Sequence, residues 1–156
     1  MTIEKFERRT PYFFLSNMYR LENPIQTDTG IYVPTSEHAY QSAKFVNPRI
    51  CREIASLERG IDTKERAHEL ELAGEELVEG WDEIKLGFMN RFVRDKFQLN
   101  PAIAELLVNT GDEEIVEGNT WGDRYWGVCP PGSTNGQNNL GKIHMQVRAE
   151  LVAGEL

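Results

Sequence analysis

The chain has 156 residues, 40% of them hydrophobic, with a formal net charge of -8. That is enough apolar material for one compact domain with a core, and too acidic a balance for broad, salt-driven binding to nucleic-acid backbones. No apolar run nears the roughly 20 residues that span a bilayer and the start MTIEKFERR has no apolar h-region, so a cytoplasmic protein with no membrane partner is expected.

The N-terminal third is irregular and aromatic. Tyr12, Phe13, Phe14 and Leu15 lead into Ser16-Asn17, and Tyr19 to Glu22 reads as a short strand. Thr27 to Gly30 is turn chemistry, and Ile31-Tyr32-Val33 returns from it as the second arm of a hairpin. A helix begins near Ser36 and stops near Asn47-Pro48, because proline blocks continuation and restricts the residue before it. A second helix runs from Pro48, at its first position, to about Leu57. Gly60 breaks the pattern, and Asp62 or Thr63 caps a charged helix reaching about Ala73. Trp81 to Gln98 is the longest periodic segment: Ile84, Phe88, Met89, Phe92, Val93 and Phe97 form its apolar stripe, with Lys85, Arg91, Arg94 and Lys96 mostly outside it. Asn100-Pro101 starts a helix through Asn109 that Gly111 ends. Glu113 to Val116 reads as a short strand, and a last helix covers about Leu140 to Val152. The sum is a mainly α, α-rich α+β fold, with some six helices and a few short strands in a single domain over residues 1–156.

The segment Thr35-Ser36-Glu37-His38-Ala39-Tyr40-Gln41-Ser42-Ala43-Lys44-Phe45 carries more chemistry than a helix needs. Thr35 or Ser36 can cap the first turn, and Glu37 suits the positive helix end. At about 100° per residue, positions 37, 40, 41, 44 and 45 share one broad face. That face offers a carboxylate, a phenol, an amide, an ammonium and an aromatic ring, where a purely structural face would be mostly aliphatic. A polar pocket is the reading. His38 points about 100° away from Glu37 and reads as packing or surface. His68 and His144, without carboxylate or cysteine partners at ligand spacing, read as surface histidines. Cys51 and Cys129 show no CxxC or Cys/His spacing, so two reduced thiols and no metal site are expected.

Asn119 to Asn139 is a long Gly/Pro/Asn-rich stretch, and loops of this length are often functional. It holds Trp121, Asp123, Arg124 and Trp126. Trp126 is a candidate wall for a flat ligand and Trp121 a candidate for core or loop packing. Gly122, Gly127 and Gly141 would let backbone amides approach a ligand closely. Gly136-Gln137-Asn138-Asn139-Leu140-Gly141 could set N–H groups around an anion at a helix start.

Several of these blocks carry a family resemblance. Phe14-Leu15-Ser16-Asn17, Ser36-Glu37-His38-Ala39-Tyr40-Gln41-Ser42-Ala43-Lys44-Phe45, Trp81, Lys85, Met89, Lys96-Phe97, Thr110-Gly111, Trp126-Gly127 and Asn138-x-Leu140-Gly141 together resemble the YbiA-like/NADAR family, from about residue 6 to about residue 151. Met18 in FLSNMY departs from the usual FLSNFY, and Val128 to Asn135 looks individual to this chain.

The resemblance implies a small, mainly α-helical enzyme that needs no metal or other cofactor and hydrolyses N-glycosidic bonds to ribose. Described members act on a phosphoribosylamino-pyrimidine of riboflavin synthesis, or remove ADP-ribose from guanine in nucleic acid. The implied catalytic residues are Glu37, Lys44 and Asp123. Asn17, Tyr40, Gln41, Trp81, Lys85, Trp126, Gly127 and Asn138 are the implied substrate contacts. Cleaving a C1'–N bond develops positive charge on C1', which a carboxylate stabilises while an acid protonates the departing amine. Lys44 is expected either as a phosphate anchor or, if unprotonated through burial, as a nucleophile forming a Schiff base with C1'. The expected partners are a small nucleotide or ADP-ribose conjugate, or ADP-ribosylated DNA or RNA. The alternative function is a non-catalytic ADP-ribose or NAD-binding module, and a plain α-helical interaction protein is disfavoured by the polar helix face.

Overall fold

The computed structural model describes residues 1–156 throughout. The chain is α-rich, with six α-helices and four two-residue strands, as the periodicity predicts. It falls into two compact units, Asn17–Asn100 and the two chain ends taken together, Met1–Ser16 with Pro101–Leu156.

The unit Asn17–Asn100 opens with an antiparallel hairpin. Here β2 (Ile25–Gln26) pairs with β3 (Tyr32–Val33), Ile25 opposite Val33. The turn and the returning arm fall where the sequence places them. The first arm begins three residues past the end of the expected Tyr19 to Glu22, because Thr27 fixes the turn: its N–H donates to the Ile31 carbonyl at 2.8 Å, and its hydroxyl accepts from the Ile31 N–H at 3.0 Å. Four helices follow: α1 (Ser36–Ala43), α2 (Pro48–Ala55), α3 (Gly60–Leu72) and α4 (Trp81–Leu99). Thr35 caps α1, its hydroxyl accepting from the His38 N–H at 3.1 Å, an arrangement worth about 1 kcal/mol. Asn47 caps α2 through Arg49, with Pro48 in the first turn. Asp62 does not cap α3 from outside. It lies one turn in and accepts from the Arg59 backbone N–H at 3.0 Å.

Phe45, Ile50, Cys51, Ile54, Ala67 and Leu70 pack together as an apolar cluster under α1, α2 and α3, with Leu77 against it. Every residue of α1 is buried, although the helix has few aliphatic side chains. The α4 stripe is buried at Met89, Phe92, Val93 and Phe97. Lys96, expected outside that stripe, is wholly buried, its ammonium 5.8 Å from the Tyr19 ring centre and 5.3 Å from that of Phe97. Burial pushes the ammonium down to about 7. Position 96 follows Phe92 and Val93 by one helical turn, so the spacing put it inward and only its residue type argued otherwise.

In the other unit, β1 (Thr2–Ile3) pairs in parallel with β4 (Glu114–Ile115). Between them in sequence come a 3-10 turn (Phe13–Leu15) and, after the Asn17–Asn100 unit, α5 (Pro101–Val108). The unit closes with α6 (Asn139–Val152), which packs against α5 and β4. His144, expected at the surface, is completely buried on α6. Its Nδ1 lies 2.8 Å from the Leu140 carbonyl, and its ring meets Phe6 edge-on.

Candidate active site

The α1 face is a set of mutually held polar groups. Glu37 is 6% exposed and Gln41 5%. One helical turn apart, they meet as i, i+4 neighbours, and Gln41 Nε2 donates to Glu37 Oε2 at 2.8 Å. Asn17 fixes the helix start from the side. Its backbone carbonyl accepts from the Glu37 N–H at 3.1 Å and its Oδ1 from the Ser36 hydroxyl at 2.9 Å, while its amide points to Met89 Sδ at 3.4 Å. The Glu37 N–H and the Ser36 hydroxyl thus both find acceptors on Asn17.

One aromatic flank completes this cluster. Trp81 opens α4, with its ring centre 5.4 Å from that of Tyr40 and 5.6 Å from that of Phe88, and Phe88 continues the stack to Phe92. Trp81 and Tyr40 therefore meet beside α1. Lys44 follows at the C-terminal end of α1. Its ammonium lies 5.6 Å from the centre of the Tyr40 ring and pairs at 3.5 Å with Glu71 Oε2 of α3. Glu71 lies 27 positions from Lys44, too far along the chain for local spacing to signal the pair. Lys85, one turn into α4, pairs with exposed Asp82 at 3.2 Å.

His38 is buried on the opposite side of α1. Its Nε2 faces the Leu57 carbonyl at 2.6 Å and its Nδ1 the Thr35 hydroxyl at 2.7 Å. A carbonyl only accepts, so Nε2 carries the proton, and Nδ1 of the neutral ring accepts from Thr35. Burial is the largest influence and lowers the tendency of this imidazole to take a second proton. The Leu57 carbonyl and Asp62 oppose that shift, and Arg20 adds to it. His38 is thus a packing residue, as its direction on the helix predicts.

A separate recess of about 600 Å³ opens in the same unit, lined by Ile31, Phe45, Val46, Cys51, Arg52 and Val78 among others. None of the expected site residues lines it. Cys51 at its wall donates its thiol proton to the Phe45 carbonyl, and burial pushes the thiol up.

Asp123, Trp126, Gly127 and Asn138 fall in the unit of the chain ends, where the 119–139 loop has its own logic. Asp123 Oδ1 accepts from the N–H groups of Tyr125 at 3.0 Å and Trp126 at 2.9 Å, an Asx-type turn. Asn119 wraps the same residue: its Oδ1 accepts from the Asp123 N–H at 3.0 Å, and its amide donates to the Asp123 carbonyl at 2.7 Å. Trp126 is half-buried and meets Tyr125 edge-on, with ring centres 4.7 Å apart, whereas Trp121, expected as packing, is 61% exposed. Gly127 is required for space. A Cβ there would run into the backbone oxygen and the carboxylate of Glu117.

The anion cradle expected at Gly136 to Gly141 takes another form. The N–H groups of Gln137, Asn138, Asn139 and Leu140 donate to the carbonyls of Arg124, Gly127, Tyr125 and Trp126 at 2.8, 3.3, 3.2 and 2.9 Å. Asn138 is engaged at both ends of its amide, accepting from the Glu117 N–H at 2.9 Å and donating to the Ile115 carbonyl at 2.9 Å. These donors bind the chain's own loop, so the run works as a clasp. No group of three His, Cys, Asp or Glu side chains is placed to hold a metal ion, and no helix is long and apolar enough to cross a membrane.

An α-rich fold with a buried carboxylate on its first α-helix is the class these observations define, and the comparisons place it. The NADAR domain model matches residues 5–152, so the chain belongs to the NADAR family. It is 36% identical over 151 residues to a protein of Nostoc punctiforme named N-glycosidase, covering 97% of this chain and 93% of that one. It is 33% identical over 138 residues to a riboflavin biosynthesis protein of Vibrio vulnificus, and that match spans only 35% of the relative's length. The NMR structure of the Escherichia coli protein YbiA superposes with a TM-score of 0.81 at 29% identity, covering 99% of this chain and 87% of that one.

Proposed function

We propose that this chain is an N-glycoside hydrolase that cleaves the C1'–N bond between a ribosyl group and an exocyclic amine. The observation that carries the reading is Glu37, a buried carboxylate aligned by Gln41 on a helix face that also presents Tyr40 and Lys44. Relatives named N-glycosidase support it.

In the reaction a water oxygen bonds to C1' as the C1'–N bond breaks. The nitrogen leaves with the bonding pair and takes up a proton. Positive charge gathers on C1' and the ring oxygen at the transition state, and a carboxylate held without water around it stabilises that charge strongly. Gln41 restricts Glu37 to one orientation, so little reorganisation is needed as charge develops. Lys44 is engaged in an ion pair with Glu71, which suits an anchor for a substrate phosphate better than a Schiff-base nucleophile. Trp81 and Tyr40 supply a flat apolar flank for a base.

Among substrates, we favour a phosphoribosylamino-pyrimidine over ADP-ribosylated guanine in nucleic acid. The net charge of -8 opposes a polyanionic partner, and two of the relatives are named for riboflavin biosynthesis.

The test is to incubate the purified chain with the phosphoribosylamino-pyrimidine and, separately, with ADP-ribosyl-guanosine, following release by mass spectrometry. Cleavage of the first at the higher kcat/KM is expected, and Lys44→Ala should raise KM about tenfold while kcat changes less. Failure to cleave either compound would overturn the hydrolase reading, and a borohydride-trapped sugar on Lys44 would overturn the anchor role.

A further inference from the structure

Gln41 holds an unusual position in the α1 cluster. It is 5% exposed, its Nε2 is committed to Glu37 Oε2 at 2.8 Å, and its Oε1 has no hydrogen-bond partner within the protein. The amide cannot turn over to relieve this, because its oxygen would then face the Glu37 carboxylate, and two acceptors repel. A buried carbonyl left unpaired opposes folding. Ala or Met at position 41 would have avoided that penalty on the same helix, with equal or better helix propensity. The orientation is therefore fixed by Glu37, and what it fixes is a buried acceptor beside a buried carboxylate.

We propose that Glu37 and Gln41 form a two-acceptor receptor for the vicinal 2'- and 3'-hydroxyls of the sugar, making the enzyme selective for ribosyl over 2'-deoxyribosyl N-glycosides. Carboxylate and amide oxygens one helical turn apart present two acceptors side by side. A cis-diol presents two donors with matching neighbours. A phosphate only accepts; a guanine or 2-aminopyrimidinone edge also carries two adjacent N–H donors, but a carboxylate that stabilises charge at C1' faces the sugar and not the far edge of the base. A hydroxyl bound to a carboxylate also shifts electron density toward the sugar ring, and contacts to the 2-hydroxyl of glycosides strengthen at the oxocarbenium-like transition state. Discrimination should appear in kcat as well as in KM. Sites built to accept from a substrate hydroxyl reject analogues lacking it far more strongly than apolar pockets reject an extra group.

The inference rests on the ribosyl hydrolase reading, and the experiment separates the two. Binding is measured first, by calorimetry with ribose 5-phosphate and 2-deoxyribose 5-phosphate as probes, which requires no turnover. Ribose 5-phosphate should bind at least about tenfold more tightly. Turnover is then compared for a ribosyl amine and its 2'-deoxy counterpart with the same leaving group, where a ratio in kcat/KM of about 100 or more is expected. Gln41→Met should bring both ratios toward one, whereas a variant that merely loosens the helix would lower both sugars alike and leave the ratios standing. Equal binding of the two sugar phosphates, or binding of neither at millimolar concentration, overturns the receptor. Discrimination in binding without any cleavage keeps the receptor and overturns the hydrolase. Equal turnover of ribosyl and deoxyribosyl substrates keeps the hydrolase and overturns the receptor.

Discussion

Helix α1 and the 119–139 loop both carry blocks of the family resemblance, yet they hold their polar groups in opposite ways. On α1 the backbone satisfies itself, and side chains such as Glu37 and Gln41 are left to face one another. In the loop the backbone is irregular, so side chains are recruited to satisfy it: Asp123, Asn119 and Asn138 all bond main-chain groups. A helix frees polar side chains for chemistry, whereas an irregular loop consumes them. A carboxylate in a recognisable block is therefore not evidence of a chemical role until its hydrogen bonds are counted.

The largest expected effect breaks this contrast or confirms it directly. Glu37→Gln keeps the shape and removes the charge, and should lower kcat/KM about 10³-fold with the melting temperature little changed. Asp123→Asn keeps an oxygen able to accept from the N–H groups of Tyr125 and Trp126, so stability and kcat/KM should both stay within a fewfold of wild type. Asp123→Ala, lacking that oxygen, should lose about 1–2 kcal/mol of stability. A loss beyond about tenfold in kcat for the asparagine variant would assign the second carboxylate a chemical role and erase the distinction between the two regions.

Gly127→Ala probes the loop's tolerance to added volume. The new Cβ meets backbone as well as side chain at Glu117, and backbone does not swing aside. A destabilisation of about 2–3 kcal/mol is expected in chemical denaturation. Gly122→Ala meets nothing within 4 Å, though its φ of +87° adds strain, and should cost only about 1 kcal/mol. Equal costs at the two positions would show that loop conformation, and not the close approach to Glu117, decides the role of Gly127.

The same contrast explains what could be read from residues alone. The six helices were legible because α2 and α4 to α6 carry periodic apolar residues, and Asn47-Pro48, Asn100-Pro101 and Gly111 punctuate them. The Glu37–Gln41 pair was legible because i, i+4 neighbours touch on any helix. The parallel pairing of β1 with β4 joins residues more than 100 positions apart through two-residue strands, too short to show alternation. Lys96 and His144 are buried because helical position outweighs residue type there. The clasp between 137–140 and 124–127 lay out of reach, since nothing in a Gly/Asn run says whether its N–H groups will bind a ligand or its own chain. Glu71 as the partner of Lys44 depended on how α1 and α3 pack, which no local spacing encodes.

The smallest expected effect is a pH dependence that belongs to α1. His38 is neutral in the folded chain, with both nitrogens placed for the neutral ring, and burial lowers its pKa below the ordinary 6.5. As pH falls through 6.5 the unfolded chain takes up a proton before the folded one does. The unfolded state then binds more protons, and stability falls with falling pH. Protonation would also turn Nδ1 into a donor toward a Thr35 hydroxyl that already accepts from the His38 N–H, forcing that hydroxyl to give up its own donation. Between pH 7.5 and 5.5, above the ordinary carboxylate range near 4, the melting temperature should drop, and the drop should shrink in His38→Gln, which can still donate to the Leu57 carbonyl. His68 is exposed, so His68→Gln should leave the wild-type slope in place. A slope unchanged in His38→Gln would mean that α1 keeps its cap without regard to the charge on this ring, and its acid sensitivity would then be no greater than that of the loop.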